Sequence, residues 1–271
     1  LAWDGQATIF ELGSKLAEGE RFAMESHLTI ADVDVDRLGM DRLRNGTFAD
    51  CARQEGETST VVPFVAAIRA AYPDLVISVD TWRSEVARLA CAEGADLIND
   101  TWAGADPELV HVAAEVGAGI VCSHTGGAIP RTRPHRVRYA DVVADVLSEV
   151  TRSAENALAA GVREDGIIVD PTHDFGKNTY HGLELLRRID SLVNTGWPVL
   201  MALSNKDFIG ETLGVGLAER LEGTLAATAL TASQGARMFR VHEVAATRRV
   251  VDMVAAIAGT RAPARTVRGL A

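Results

Sequence analysis

From residue 74 onward, the chain alternates between two sequence patterns. Short runs rich in β-branched residues end in polar side chains, and each is followed by an Ala-rich amphipathic stretch that begins near a turn or capping residue. The runs predict six strands, at 75–80, 95–99, 119–124, 166–170, 198–204 and 236–241. The stretches predict six helices, at 83–93, 107–116, 139–160, 180–194, 216–233 and 244–258. Strands that alternate with helices in this way are typical of a parallel sheet.

The predicted fold is an α/β barrel. A single (β/α)8 TIM barrel has about 250 residues, which fits a chain of 271 residues. The two units still missing can come only from the first 73 residues, where 7–12 and 28–33 are the best strand candidates and 61–71 predicts a helix. We therefore expect a TIM barrel whose first two strand–helix units are atypical or degenerate.

The amino-terminal 60 residues differ from the rest in charge. They carry twelve Asp or Glu against six Lys or Arg, which is −6 of the formal net charge of −10. Because no Pro-rich or Ser/Gly-rich linker follows them, we expect one domain over 1–260 with 1–60 as its atypical part. A partly disordered or degenerate start is the alternative. Residues 261–271 are expected to form a surface tail.

Composition excludes several classes of protein. With 47% hydrophobic and 24% charged residues, the chain is typical of a soluble globular protein, and its acidic balance offers no basic surface to nucleic acid. No apolar run approaches the ~18 residues that a transmembrane helix needs, and residues 1–4 lack the basic start of a signal peptide. We therefore expect a cytoplasmic protein with no membrane or nucleic-acid partner. Cys51, Cys91 and Cys122 form no CxxC pair, so neither a disulfide framework nor a zinc site is predicted.

Polar side chains end nearly every predicted strand. They are Asp80, Asn99 with Asp100, His124, Asp170, Ser204 with Lys206, and Arg240 with His242. In a parallel barrel these carboxyl ends converge on one rim, where barrel active sites are built. A small acceptor such as Asp100 is expected to close a turn or cap a helix instead. Lys206, Arg240 and His242 cannot act in that way, so the rim predicts a binding site.

The chemistry of these side chains predicts a ligand. Two carboxylates and a carboxamide suit a flat heterocycle with several N–H donors on one edge, and Lys206 can donate to a carbonyl beside them. Arg240 and His242, two residues apart on one strand, point to the same face and suit an anion. We expect a planar heterocycle that carries an anionic group. The alternatives are a salt bridge from Arg240 to a rim acid such as Asp170, and a buried core position for His242.

Several motifs between residues 58 and 260 resemble those of the dihydropteroate synthase family. They are Asp80-Thr81, G-A-D-L-I-N-D at 94–100, D-P-T-H-D-F-G-K at 170–177, S-N-K-D-F-I-G at 204–210 and R-V-H at 240–242. They occur in the family's order, which argues strongly against chance similarity. The wording of the first and third motifs is most similar to the second, synthase-like paralogue of mycobacteria and other actinobacteria.

The resemblance implies a reaction and a set of site residues. The family condenses 6-hydroxymethyl-7,8-dihydropterin diphosphate with p-aminobenzoate and releases diphosphate. By the family's pattern, Asp80, Asn99, Asp170 and Lys206 hold the pterin, Arg240 and His242 hold the diphosphate, and Phe175, Lys206 and Asp207 lie on the p-aminobenzoate side. The resemblance also implies Mg²⁺ on the diphosphate and a homodimer. No residue is assigned as catalytic.

The chain departs from the family at its catalytic loops. Nothing in residues 1–60 matches the family's N-x-T-x-D-S-F motif, whose Asn binds the metal, or its G-G-x-S-T-R-P-G loop. No metal ligand is therefore predicted, and Mg²⁺ binding is in doubt. Asp207 replaces a small hydroxylated residue beside the p-aminobenzoate carboxylate, and at ~4 Å two like charges repel by about 1 kcal/mol in water and by several times that at a lower dielectric. For His173 and Asp174 we expect loop hydrogen bonds rather than a metal or acid/base pair.

Four interpretations remain open. The preferred one is a synthase-fold paralogue that keeps a pterin or anion pocket but has weak or no synthase activity. The second is an active dihydropteroate synthase. The third is a methyltetrahydrofolate-binding relative of the corrinoid methyltransferases, against which the anion-binding pair Arg240 and His242 argues. The fourth is a non-enzymatic, dimeric interaction protein.

Overall fold

We describe the chain in a computed structural model that covers residues 8–11, 14–18, 54–128, 130 and 138–267, with side chains from residue 56 onward. The chain divides into two compact units, Leu1–Glu57 and Thr58–Ala271. In the first unit, β1 (Thr8–Glu11) pairs antiparallel with β2 (Ser14–Glu18). The strand predicted at 7–12 is thus present, but it pairs antiparallel with β2, whereas the strands of the predicted barrel run parallel. The strand predicted at 28–33 lies outside the described residues.

The second unit carries alternating strands and helices in the predicted order. Its strands are β3 (Ser78–Asp80), β4 (Leu97–Asp100), β5 (Gly119–Ser123), β6 (Ile167–Asp170), β7 (Leu200–Met201) and β8 (Met238–Phe239). The helix that precedes them is α1 (Gln54–Ala71). The helices between and after them are α2 (Ser84–Ala92), α3 (Leu109–Val116), α4 (Val142–Ala160), α5 (Thr179–Arg187), α6 (Ile189–Val193), α7 (Asp207–Leu213), α8 (Leu221–Ser233) and α9 (Val244–Ile257). Short 3-10 turns occur at Glu164–Gly166 and Leu217–Glu219.

The six strands of this unit follow one another in chain order and run parallel. β3, β4, β5 and β6 form one sheet, and β7 and β8 form a second. A parallel bridge between Val169 and Val199 joins the two sheets, and the Val169 N–H donates to the Pro198 carbonyl over 2.9 Å. The carboxyl ends of all six strands therefore lie along one edge, as the sequence predicted.

Both faces of the sheet are buried. Leu97, Val121, Ile168, Leu200 and Ala202 from successive strands form one apolar cluster. The alternate strand residues, among them Ile98, Ile167 and Val169, belong to a larger cluster that includes the helices. The helices contribute small side chains that allow close packing, among them Ala113, Val146, Val150, Ala154 and Ala157. A parallel sheet with apolar side chains on both faces is the arrangement expected inside a barrel.

Some element boundaries differ from those predicted. β7 and β8 are only two residues long, although 198–204 and 236–241 read as full strands. The helix predicted at 180–194 is divided into α5 and α6 at Arg188, whose side chain pairs with Asp141 at 3.0 Å. Helix α7 was not predicted at all. Within the described part of the chain, no helix combines the length and apolar character that a membrane crossing requires.

Candidate functional site

Asp80, Asn99 and Arg240 meet at the carboxyl edge of the sheet. Asp80 and Asn99 are paired residues of β3 and β4, and the Asn99 amide nitrogen donates to Asp80 Oδ2 over 3.1 Å. Thr101 donates its hydroxyl to Asp80 Oδ1 over 3.0 Å. Arg240, 160 residues away in the chain, places Nη1 2.9 Å from Asp80 Oδ2. The salt bridge considered for Arg240 thus exists, with Asp80 rather than Asp170 as its partner.

Asp170 and Asn99 offer buried acceptors beside this contact. Asp170 is 2% exposed and accepts the Thr172 N–H over 2.7 Å at Oδ1. Burial raises the pKa of Asp170, and the N–H of Thr172 and the charges of Arg240 and Lys206 oppose that rise. Asn99 Oδ1 is buried and has no hydrogen-bond partner among the described residues. A ligand with N–H donors would satisfy this acceptor, since an unpaired buried polar atom costs free energy.

Lys206 lies at the start of α7, after the end of β7. Its ammonium is 2.9 Å from Asp174 Oδ2, in the loop that follows β6. The neighbouring Phe175 makes an edge-to-face contact with Trp102, with ring centroids 4.8 Å apart. In place of the expected loop hydrogen bond, Asp174 therefore forms an ion pair with Lys206, a residue predicted to bind the pterin. The Trp102 contact was not predicted from the sequence.

Lys177 connects the loops that follow β5 and β6. Its ammonium donates to the backbone carbonyls of His124, Thr172 and Phe175, each over 3.0 Å. Burial lowers the pKa of Lys177 from 10.5 to about 7, and the nearby carboxylates, first of all Asp170, oppose that shift. In the sequence, Lys177 was visible only as the last residue of the D-P-T-H-D-F-G-K motif. Its contacts could not be predicted, because its three acceptors are backbone carbonyls, which every residue type has.

His242 is exposed, so the alternative of a buried core histidine is wrong. Its Nδ1 lies 2.8 Å from Ser204 Oγ, and its backbone N–H donates to the same oxygen over 3.2 Å. Asn205, in the left-handed region with φ 60°, places its amide nitrogen 3.4 Å from His242 Nδ1. Ser204 therefore orients His242, while Arg240 is directed at Asp80.

Asp207 forms an ion pair that the sequence did not predict. Its Oδ1 is 2.9 Å from Nη1 of Arg220, and the side chain of Asp207 is 82% exposed. The same Arg220 nitrogen donates to the Asn205 carbonyl over 2.7 Å. The charge of Asp207 is thus compensated in part, and the repulsion of a carboxylate expected from Asp207 alone is reduced accordingly.

Two histidines are buried close to the rim. Neither ring nitrogen of His173 has a hydrogen bond of normal geometry among the described residues, although the nearby backbone of Gly182 opposes the lowering of its pKa, so the expected loop hydrogen bond is at most weak. Burial lowers the pKa of His173 from 6.5 to about 3, and Lys177 and Lys206 lower it further. His124 is fully buried, and its Nε2 lies 2.8 Å from Asp145 Oδ1.

Asp100 closes a turn, as expected. It accepts the N–H groups of Trp102 and Gly104 over 3.1 and 2.6 Å. Burial raises the pKa of Asp100 to about 6, and these two N–H groups oppose that shift.

The described residues contain no cluster of side chains that could hold a metal ion by itself. No group of three or more His, Cys, Asp or Glu side chains lies close enough together among them to hold a metal ion. Asp80, the rim carboxylate nearest the anion-binding side chains, is already occupied by Arg240, Asn99 and Thr101.

Comparison with known proteins identifies the family. Residues 33–242 match the family described as pterin binding enzyme. The chain belongs to this family. The matched region includes all six rim residues that the sequence predicted to bind the ligand, from Asp80 to His242. Membership also confirms the predicted TIM-barrel class, of which the described residues show six parallel strands.

Relatives of two kinds are similar to the chain. A Mycobacterium leprae protein named inactive dihydropteroate synthase 2 is 71% identical over 269 residues, covering 97% of this chain and 91% of its own. The dihydropteroate synthase of Bacillus subtilis is 37% identical over 221 residues, covering 81% of this chain and 74% of its own. The solved structure of dihydropteroate synthase from Thermus thermophilus in complex with 4-aminobenzoate has a TM-score of 0.68 and 38% identity, covering 72% of this chain and 75% of that one.

Proposed function

We propose that this protein is a dihydropteroate synthase-like paralogue that keeps a pterin and diphosphate pocket but has weak or no synthase activity. The observation that carries the proposal is the contact of Asp80 with both Asn99 and Arg240, at 3.1 and 2.9 Å. This contact brings a pterin-type acceptor edge next to an anion-binding side chain. The 71% identical relative from Mycobacterium leprae is named an inactive dihydropteroate synthase, which supports weak or absent activity here.

In this proposal, Asp80, Asn99, Asp170 and Lys206 bind the pterin. The buried acceptors of Asn99 and Asp170 suit the N–H donors of a pterin edge, because a buried acceptor without a partner gains a hydrogen bond when the ligand enters. Lys206 donates to a ligand carbonyl. Its ammonium can donate three hydrogen bonds, so its pair with Asp174 does not exhaust it.

Arg240 and His242 bind the diphosphate, and Phe175, Lys206 and Asp207 border the p-aminobenzoate side. Phe175 lies against Trp102, and such an aromatic wall suits the benzene ring of this substrate. Arg240 must exchange its pair with Asp80 for the ligand anion. Its side chain is 37% exposed, so solvent screens that pair and the exchange is accessible.

Weak activity follows from the departures at the catalytic loops. Residues 1–60 contain neither the metal-binding Asn motif nor the substrate-covering loop of the family. A pocket that keeps its polar floor without these loops binds ligand but does not exclude water around the reacting groups. An active synthase remains the second candidate, favoured by the 37% identity to the enzyme of Bacillus subtilis.

The remaining expectations belong to the same proposal. We infer a homodimer in the cytoplasm, with Mg²⁺ binding in doubt, and one domain over 1–260 with a tail at 261–271. Exposed apolar side chains on α8 and α9, among them Leu230, Met253 and Ile257, support a dimer.

Calorimetry with dihydropterin diphosphate tests the pocket, both with and without magnesium. We expect binding to the wild type and at least about tenfold weaker binding to Asp170→Asn, which loses one buried charge-assisted acceptor. Asp165→Asn is the matched control, because Asp165 pairs with Arg163 at an exposed turn before β6. Absence of heat with the wild type in both conditions would remove the pterin proposal.

Formation of dihydropteroate from labelled p-aminobenzoate tests the catalytic part of the proposal separately. We expect little or no product. Turnover within the ordinary range for enzymes, about 1 per second or more, would show that the protein is an active synthase.

A further inference from the structure

We propose that Asp174 and Asp207 are specificity-determining residues that turn the second-ligand side of the pocket away from carboxylates and toward neutral or amine-bearing rings. This inference rests on the proposed pterin pocket and deepens it. It concerns two cations, Lys206 and Arg220, each of which is paired with a carboxylate of the chain itself.

Lys206 is the first of these cations. Its ammonium lies 2.9 Å from Asp174 Oδ2, and the two side chains are 20% and 36% exposed. Because Lys206 is only 20% exposed, solvent screens this pair in part and less than it screens a fully exposed pair. A ligand carboxylate that approaches Lys206 therefore meets the charge of Asp174 at close range.

Arg220 is the second cation. Its Nη1 lies 2.9 Å from Asp207 Oδ1, and its side chain is only 15% exposed. The guanidinium packs against α7, because a Cβ at Gly210 would lie 2.6 Å from Arg220 Nε. The same nitrogen that pairs with Asp207 also donates to the Asn205 carbonyl over 2.7 Å, so a ligand anion that reaches Arg220 competes with Asp207.

Within each pair, the carboxylate offsets the charge of the cation. A carboxylate ligand must displace Asp174 or Asp207 or lie beside them, and either course costs affinity. A carboxamide of the same shape carries no charge, accepts from Lys206 and donates its N–H groups to the aspartates. Asp174 has the larger effect, because its side chain is 36% exposed and that of Asp207 is 82% exposed.

The test compares two ring compounds of equal shape, 4-aminobenzoate and 4-aminobenzamide. Their dissociation constants are measured by calorimetry on the wild type, Asp174→Asn, Asp207→Asn and the double variant, with and without saturating dihydropterin diphosphate. Asp165→Asn is again the control, because it removes a carboxylate from an exposed Asp–Arg pair at a turn before β6. Thermal unfolding of each variant establishes that it is folded.

We expect the wild type to prefer the amide, and the double variant to shift the ratio of the two constants toward the acid by at least about tenfold, or ~1.4 kcal/mol. Most of the shift is expected in Asp174→Asn, and none in Asp165→Asn. A wild type that prefers the acid, an unchanged ratio in the folded double variant, or no binding of either compound to any variant would overturn the inference. Failure of the pterin proposal is seen separately, as absence of heat when dihydropterin diphosphate alone is added.

Discussion

Replacing His173 by Leu tests whether a buried neutral histidine makes the protein sensitive to acid. His173 is 3% exposed and packs against Phe208, with ring centroids 5.5 Å apart. Leu has a similar volume and no polar atoms, so nothing that it leaves behind requires a hydrogen bond. Because neither ring nitrogen has a hydrogen bond of normal geometry among the described residues, we expect His173→Leu to be at least as stable as the wild type near neutral pH.

The size of the change in the free energy of unfolding follows from the lowered pKa of His173. The unfolded chain takes up a proton on His173 near pH 6.5, whereas the folded protein does so only near pH 3. The stability that the neutral ring contributes is therefore present above pH 6.5 and is lost as the pH falls toward 3. At about 1.4 kcal/mol for each pH unit within that interval, the loss between about pH 7.5 and about pH 5 is about 2 kcal/mol.

Urea unfolding of the wild type and His173→Leu at these two pH values measures the effect. The difference in the free energy of unfolding between the two proteins should change by about 2 kcal/mol in favour of the variant. The difference is needed because other groups titrate in the same interval; the raised pKa of Asp100 acts with the opposite sign. His111→Leu, a replacement on the exposed surface of α3, is the control. A change below about 0.5 kcal/mol would refute the reasoning, since distant surface replacements vary by that amount.

Two further predictions concern the loops around the site. Gly176→Ala should destabilise the fold by more than about 2 kcal/mol, because a Cβ at its φ of +64° would lie 2.4 Å from the Thr125 carbonyl oxygen. The control is Gly127→Ala, at φ +80° with nothing within 4 Å, which should lose only about 1 kcal/mol of stability. Equal losses of the two variants in thermal unfolding would contradict the steric argument. Asp100→Asn should lose about 1–3 kcal/mol, because one of the two N–H groups of its turn loses its acceptor. The pKa of Asp100 is raised to about 6, so the stability that its protonated form contributes is present below about pH 4 and lost as the pH rises through 6. The free energy of unfolding that Asp100→Asn loses relative to the wild type should therefore grow as the pH falls from about 6 to about 4. A loss independent of pH in urea unfolding would show that Asp100 is not protonated in this interval.

Element type was predictable because it depends on local sequence. The run at 119–124 contains β-branched apolar residues and ends in the polar residues Ser123 and His124. The structure has β5 at Gly119–Ser123. Helix α4 begins at Val142, where Asp141 caps two backbone N–H groups, and ends before Gly161 in the left-handed region with φ 104°. Helix α7 escaped prediction, because its seven residues show too little of the helical period.

Site membership was predictable to a lesser extent. The polar residue at the end of each strand was visible, and parallel strand order placed Asp80, Asn99 and Asp170 on one edge. The partners of those residues were not visible. Lys177 and Arg220 lie in helix-flanking or loop segments, where a Lys or Arg is usually a solvated surface residue, and nothing in the local sequence distinguishes them.

By itself, the sequence determined the α/β class, the parallel strand order and the chemical character of the rim, because periodicity and strand-end polarity act over a few neighbouring residues. The tertiary structure alone decided which charges meet. Arg240 reaches Asp80 across 160 residues, Lys206 reaches Asp174, and Arg220 reaches Asp207. Such pairs depend on distances of a few ångströms and on burial, and both arise only when the strands close side by side and bring distant loops together.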